Sequence, residues 1–228
     1  MNAQLPLVLR WPAHQRLAGF VPGANALALE LVRRLASEPD APWLYLGGVL
    51  GSGRSHLLVA ACAAAQAAGR SAQYLPLARV PDVTLALRGC GGSAVLAIDD
   101  VDAIAGRPAA EQALFDLYNR CRSDGAALLF AASAPSAQLG IALPDLVSRL
   151  AACTQLTLKP LDEAQRRALL RDRARQRGLE LDEAVLDWLF TRRKRDLGTL
   201  LEWLERIDRA SLASQRRVTV PFVRALGD

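Results

Sequence analysis

Residues 43–58 read WLYLGGVLGSGRSHLL, and the rest of the chain can be placed outward from them. Trp43-Leu44-Tyr45-Leu46 is a short apolar run of strand formers. It gives way to a glycine cluster, which opens directly into apolar helical periodicity. Gly48, Gly53, Arg54 and Ser55 match the pattern G-x-x-x-x-G-K-[ST], with arginine in the lysine position. Gly51 and Ser52 lie inside the loop, and His56 follows it. Small residues let backbone N–H groups close around phosphate oxygens, and a helix starting near Ser55 adds its free N–H groups and dipole. The Ser55 hydroxyl is a candidate Mg²⁺ ligand. The bland alternative is a glycine-rich strand-to-helix turn.

Downstream, Ala94-Val95-Leu96-Ala97-Ile98-Asp99-Asp100 is an all-apolar strand ending in two acids. All-apolar strands belong to parallel sheets covered by helices on both faces, and ligands gather at their carboxyl ends. Asp99 is therefore expected to hold Mg²⁺ through water, and Asp100 to orient an attacking water. An N-cap pair for a following turn is the competing reading. Further strands are predicted at 72–75, 127–131 and 155–158, with helices at 25–37, 55–68, 82–87, 109–122 and 145–150 between them. Five strands interleaved with helices predict a parallel α/β sheet. Ser133 follows the fourth strand, where its hydroxyl either senses a phosphate or stabilises its own loop.

From Pro160 the sequence turns helical. Asp162-Glu163-Ala164-Gln165 resembles a capping box whose helix runs to Arg177 and stops at Gly178. Helices start again at Asp182 and Asp196, and residues 218–221 break before a short tail helix. The expected organisation is an extended leader over 1–16, an α/β domain over 17–159 and an all-α domain over 160–228. In the leader, Gln4, Leu5, Leu7 and Leu9 form an alternating pattern. It suits either a peptide laid in a partner's groove or an edge strand on this chain's own core.

The chain has 228 residues, 51% of them hydrophobic and 22% charged, with no apolar run of membrane-spanning length. Residues 1–10 lack the signature of a signal peptide, so a cytoplasmic location with no membrane partner is expected. Four scattered cysteines and two histidines suggest neither a zinc site nor a disulfide framework. Residues 1–150 carry 12 basic and 11 acidic side chains and residues 151–228 carry 16 and 12, so the +5 charge lies mostly in the second part. That excess suits a polyanion, or simply a solvated helical face. Lys159 and Lys194 are the lysines of the chain, so Arg54 follows a general preference for arginine.

The stretches GFVPGANALALELV, GSGRSHLLVAACA, LAIDDVDAIAG, LFDLYNRCRSDG, LPDLVSRL and RIDRASLASQRRVTVPFV together resemble the DnaA/Hda family of AAA+ proteins over nearly the whole chain. The resemblance implies a P-loop AAA+ five-stranded sheet followed by a small helical lid, and bound ADP or ATP with Mg²⁺. Gly48, Gly51, Ser52, Gly53, Arg54 and Ser55 would hold phosphates, and Phe20, Val21 and Asn25 would lie near the adenine. Asp99 and Asp100 would serve Mg²⁺ and water. It also implies that residues 4–9 bind the β sliding clamp, with DNA reached indirectly through it, and that Arg149 is an arginine finger acting in trans on the initiator DnaA. Negative regulation of replication initiation is the function so implied; self-association is a further expectation. A stand-alone AAA+ ATPase of helicase-loader type is the rival, and a direct DNA-binding module the third reading. Three positions depart from the family pattern. Gly198 stands where a lid arginine is usual, Ser133 where aspartate is, and Arg54 where lysine is. Nucleotide binding tolerates these changes better than autonomous hydrolysis does.

Overall fold

The computed structural model describes Trp11, residues 15–192 and residues 196–227. The leader residues Gln4, Leu5, Leu7 and Leu9, and Arg195 near the lid position, lie outside the described residues. The chain separates into two units, residues 1–159 and 160–228.

The first unit is built on five parallel strands: β1 (Leu44–Gly48), β2 (Ala72–Pro76), β3 (Val95–Asp99), β4 (Ala127–Ala132) and β5 (Thr154–Leu158). Their order across the sheet is β2-β3-β4-β1-β5. The three inner strands are buried along their whole length, as their apolar sequences require, whereas edge strand β5 keeps polar Gln155 and Thr157 exposed. Successive side chains point to opposite faces. Tyr45, Leu96, Ile98, Leu128 and Phe130 join the core on one face, and Leu44, Leu46, Val95, Ala97 and Leu129 the core on the other.

Helices α1 (Ala26–Ser37) and α2 (Arg54–Ala67) cover the second of these faces. The first is covered by α3 (Val83–Gly89), α4 (Pro108–Ser123) and α5 (Pro144–Ala151). Helix α2 is buried almost all round from Leu57 to Ala63, and its alanines let it lie close on the sheet. Cys62 and Cys153 are sealed in these cores, with burial pushing each thiol up to about 12.

The second unit packs α6 (Glu163–Arg175), α7 (Glu183–Arg192), α8 (Leu197–Ser214) and α9 (Val220–Ala225) around Leu170, Leu186, Leu189, Leu200, Leu204 and Ile207. Asp162 and Gln165 form a reciprocal capping box, while Asp182, Asp196 and Thr219 cap the later helices.

Several expected boundaries move. Gly47 and Gly48 continue β1 rather than opening the loop, because they pair with β4 and β5. Helix α2 starts at Arg54, one residue early, since left-handed Gly53 is its cap. Helix α6 ends at Arg175 rather than Arg177, and Gly178, at φ +73°, completes the turn after it. The expected break at 218–221 is half helix, because Pro221 sits in the first turn of α9, where its missing N–H costs nothing.

Candidate functional site

The loop between β1 and α2 is shaped by close approaches. A Cβ on Gly48 would meet the Ser52 Oγ at 2.7 Å and the Leu158 carbonyl oxygen at 2.9 Å. Gly51 and Gly53 have φ of +80° and +96°, a left-handed conformation that side chains resist. A Cβ on Gly53 would also collide with the Phe20 ring at 2.7 Å. The loop thus runs through two left-handed glycines straight into the N-terminus of a 14-residue helix, whose unpaired N–H groups and dipole suit an anion.

Two polar atoms here are sealed from water and have no hydrogen-bond partner among the described residues: the Ser52 Oγ and one terminal guanidinium nitrogen of Arg54. Buried donors of this kind are costly unless an acceptor completes them, and a phosphate oxygen supplies one. The residues present therefore fit a polyphosphate.

Phe20, Val21 and Asn25 are carried by the segment before α1. Phe20 lies against Gly53 and tilts over the His56 ring, with centroids 5.4 Å apart. The His56 Nε2 lies 3.1 Å from the Arg16 carbonyl oxygen. Asn25 is buried, and its amide makes two bonds to the Lys159 backbone, one as donor and one as acceptor, both 2.8 Å. Lys159 directly follows Leu158, the register partner of Gly48, so this clasp fixes the segment beside the loop.

Asp99 ends β3, separated from β1 by β4 alone, which places the acid about 10 Å across the sheet. It is 1% exposed. The Tyr74 hydroxyl donates to its Oδ2 at 2.8 Å and the Asp100 N–H to its Oδ1 at 3.0 Å. These bonds fix the carboxylate while leaving lone pairs on both oxygens. Asp100 is left-handed at φ 56° and ψ 47°, which turns the chain sharply after the strand. Burial, and then the Asp99 charge, push its carboxyl above the usual range, while the Arg54 guanidinium opposes the shift.

Ser133 is exposed at the end of β4, and its N–H donates to Asp102 Oδ1 at 2.9 Å. The next carbonyl, of Ala134, accepts from the Tyr45 hydroxyl at 2.8 Å. The serine loop is thereby tied to the acidic turn by its backbone. Among the described residues, no group of three or more histidine, cysteine, aspartate or glutamate side chains is arranged to hold a metal by itself.

Arg149 is not part of this constellation. Its guanidinium carbon lies 5.8 Å from the centroid of the Tyr118 ring, which packs edge-on to Trp43 at 4.6 Å. Trp43 precedes the first residue of β1, whereas the glycine loop follows the last, so the two features stand on the order of 15 Å apart along the strand. Arg149 has no ion pair among the described residues.

Nothing in the local sequence singles out Tyr74, Tyr118 or Glu111, and Asp102 is discoverable only as the third acid of the run 99–102. Tyr74 is not, because its relation to Asp99 requires knowing that β2 neighbours β3. Glu111 is 1% exposed and accepts from the N–H groups of Gly106, Ala142 and Leu143, bridging α4 to the start of α5.

Comparison with known proteins adds the following. Residues 162–226 match the family model described as Hda, lid domain. The chain is similar in structure to domain III of the replication initiation protein DnaA from Thermotoga maritima, with TM-score 0.80 and 20% identity over 95% of this chain and 97% of that one. It is also similar to AMPPCP-bound DnaA from Aquifex aeolicus, with TM-score 0.72 and 22% identity over 86% of this chain and 66% of that one. The chain thus spans about two thirds of that initiator's length. The RuvB Holliday junction branch migration motor of Thermotoga maritima matches with TM-score 0.66 and 17% identity, over 95% of this chain and 71% of that one. At these identities the structural likenesses carry the fold. No helix among the described residues is long and apolar enough to cross a membrane.

Proposed function

We propose that the chain is an AAA+ protein of the DnaA/Hda family, as its lid-model match and DnaA-like fold support, and that it is a nucleotide-holding negative regulator of replication initiation. In this reading Arg149 completes the ATP site of a DnaA molecule. The observation that carries the proposal is the position of Arg149: far from its own phosphate loop, half-buried, and without an ion-paired carboxylate among the described residues. A guanidinium so placed cannot serve the nucleotide of its own chain, but it can enter a site on another molecule. There it neutralises charge on the transferring phosphoryl group, an effect worth about 10³ to 10⁵ in rate when supplied in trans.

The chain's own loop is assigned to an adenine nucleotide, ADP in this reading. Gly48, Gly51, Ser52, Gly53, Arg54 and Ser55 hold its phosphates, with Phe20, Val21, Asn25 and His56 on the base side. The Ser52 hydroxyl and the unpartnered Arg54 nitrogen are the donors that phosphate oxygens satisfy. Ser55 and Asp99, the latter through water, are the Mg²⁺ ligands, and that ion neutralises phosphate charge when bound. Asp100 orients water beside it, and Ser133 lies at the phosphate end of the site. Arg54 brings a planar fork where a compact ammonium is usual, and Gly198 brings no side chain to the lid. Both suit holding a nucleotide better than hydrolysing one. Gln4, Leu5, Leu7 and Leu9 are assigned to the β sliding clamp, which would bring a cytoplasmic protein to DNA.

The test is ATP hydrolysis by DnaA in the presence of DNA-loaded clamp and this protein. Arg149→Ala should remove at least about 100-fold of the stimulation, and Gln4→Ala should remove its dependence on the clamp. Unchanged stimulation with Arg149→Ala overturns the finger assignment. Turnover by this protein alone, abolished by Asp99→Ala, would instead favour the stand-alone ATPase.

A further inference from the structure

Helix α4 supports α5 at both ends. Glu111 accepts the N–H groups of Ala142 and Leu143 just before α5 begins, and Tyr118 lies under Arg149 near its end. Seven residues separate Glu111 and Tyr118, which is two turns and the same face of α4. Tyr118 is 5% exposed and held on two sides. Trp43 meets it edge-on at 4.6 Å and 75°, and Phe130 of β4, itself fully buried, stacks at 6.4 Å and 10°. A ring so confined offers a fixed face to the Arg149 guanidinium at 5.8 Å.

A free arginine is spread over many rotamers, and holding it ready for use needs an attraction. A carboxylate would supply one but would also cancel the charge and occupy the N–H donors. An aromatic face attracts the cation through its quadrupole and leaves the edge donors free. We infer that Tyr118 is a positioning residue for Arg149, holding the guanidinium extended and uncancelled for a phosphoryl group on a partner molecule. The inference rests on the finger assignment above and adds to it how the finger is kept in place. Tyr118 itself touches no substrate.

The experiment measures DnaA ATP hydrolysis, with DNA-loaded clamp, as a titration of this protein, yielding a maximal rate and a half-maximal concentration. Tyr118→Leu should lower the maximal rate roughly three- to tenfold with little change in the half-maximal concentration, while Tyr118→Phe retains activity. Pentafluorophenylalanine at position 118 keeps the ring's shape and reverses its quadrupole, so it should fall with the leucine variant even if leucine disturbs packing. In the Arg149→Ala background, Tyr118→Leu should cause no further loss. A readout without DnaA is the NMR shift of the Arg149 side-chain protons, which the ring should perturb in the parent and in Tyr118→Phe but not in Tyr118→Leu.

If Arg149→Ala abolishes stimulation while the fluorinated ring leaves it intact, the positioning role is overturned and the finger stands. If Arg149→Ala has no effect, the finger assignment itself has failed. A rise in half-maximal concentration without loss of maximal rate assigns Tyr118 to the interface instead, and overturns the inference.

Discussion

Removing the Glu111 carboxylate should loosen α5 without disturbing the second unit. Its Oε1 accepts the Gly106 N–H at 2.9 Å, and its Oε2 accepts those of Ala142 and Leu143 at 3.0 and 2.9 Å. Gly106 and Ala142 are exposed, so water replaces the lost acceptor and each bond is worth about 0.5–1 kcal/mol. Leu143 is half-buried, and losing a charged acceptor costs about 1.5–3 kcal/mol there. Glu111→Ala should therefore cost the start of α5, through the Ala142 and Leu143 bonds, about 2–4 kcal/mol, or roughly 30-fold to 10³ in the opening equilibrium. Glu111→Gln keeps one carbonyl oxygen but points an NH₂ at a backbone donor, so about half of that loss is expected. Hydrogen–deuterium exchange followed on peptides covering 144–151 reads the opening directly, with 163–214, which has its own core, as internal reference. If exchange over α5 rises less than about fivefold in Glu111→Ala, or if Glu111→Gln matches the parent, the carboxylate does not pin this helix.

Asp100→Asn should raise the urea midpoint of the α/β unit at pH 7. Burial and Asp99 push the Asp100 carboxyl above its ordinary 3.8, so the folded state holds that proton more tightly than the unfolded chain. The carboxyl's favourable contribution is thus complete below pH 3.8 and lost as pH rises through the folded value. The advantage of asparagine, which also tolerates the left-handed backbone, should shrink as pH is lowered toward 3.8; a constant advantage would assign it to backbone conformation alone. In the second unit, Gly198 lies in the first turn of α8 with ordinary φ, and among the described residues a Cβ there meets Asp196 Oδ1 alone, at 3.4 Å. Gly198→Ala should stabilise α8 by up to about 1 kcal/mol, read as a higher melting temperature, and a lower one would show that this turn is constrained by something else.

The sequence by itself determined the parts that depend on local chemistry. Apolar runs without alternation announced inner strands of a parallel sheet. The glycines from 48 to 53 announced a loop that side chains would block. Asp162 with Gln165 announced a capping box, and each of these signals is complete within a few residues. Strand ends were less legible, because Gly47 and Gly48 are strand only by virtue of β4 and β5 beside them. The carboxyl-end rule placed Asp99 near the loop, but not the tyrosine that fixes it, since Tyr74 comes from an edge strand 25 residues earlier.

At the loop of residues 48–55, spacing predicts a phosphate cradle. Tertiary packing then showed Phe20 against Gly53, Asn25 clasping Lys159, and an Arg54 nitrogen buried without an acceptor. Arg149 marks the boundary more sharply. The motif around it pointed to a finger, but nothing in the order of residues said that it rests on Tyr118, remote from its own loop and free of any ion pair among the described residues. Local conformation is written in neighbouring residues, whereas which face a side chain meets depends on strand order and helix packing, which bring together groups from distant parts of the chain.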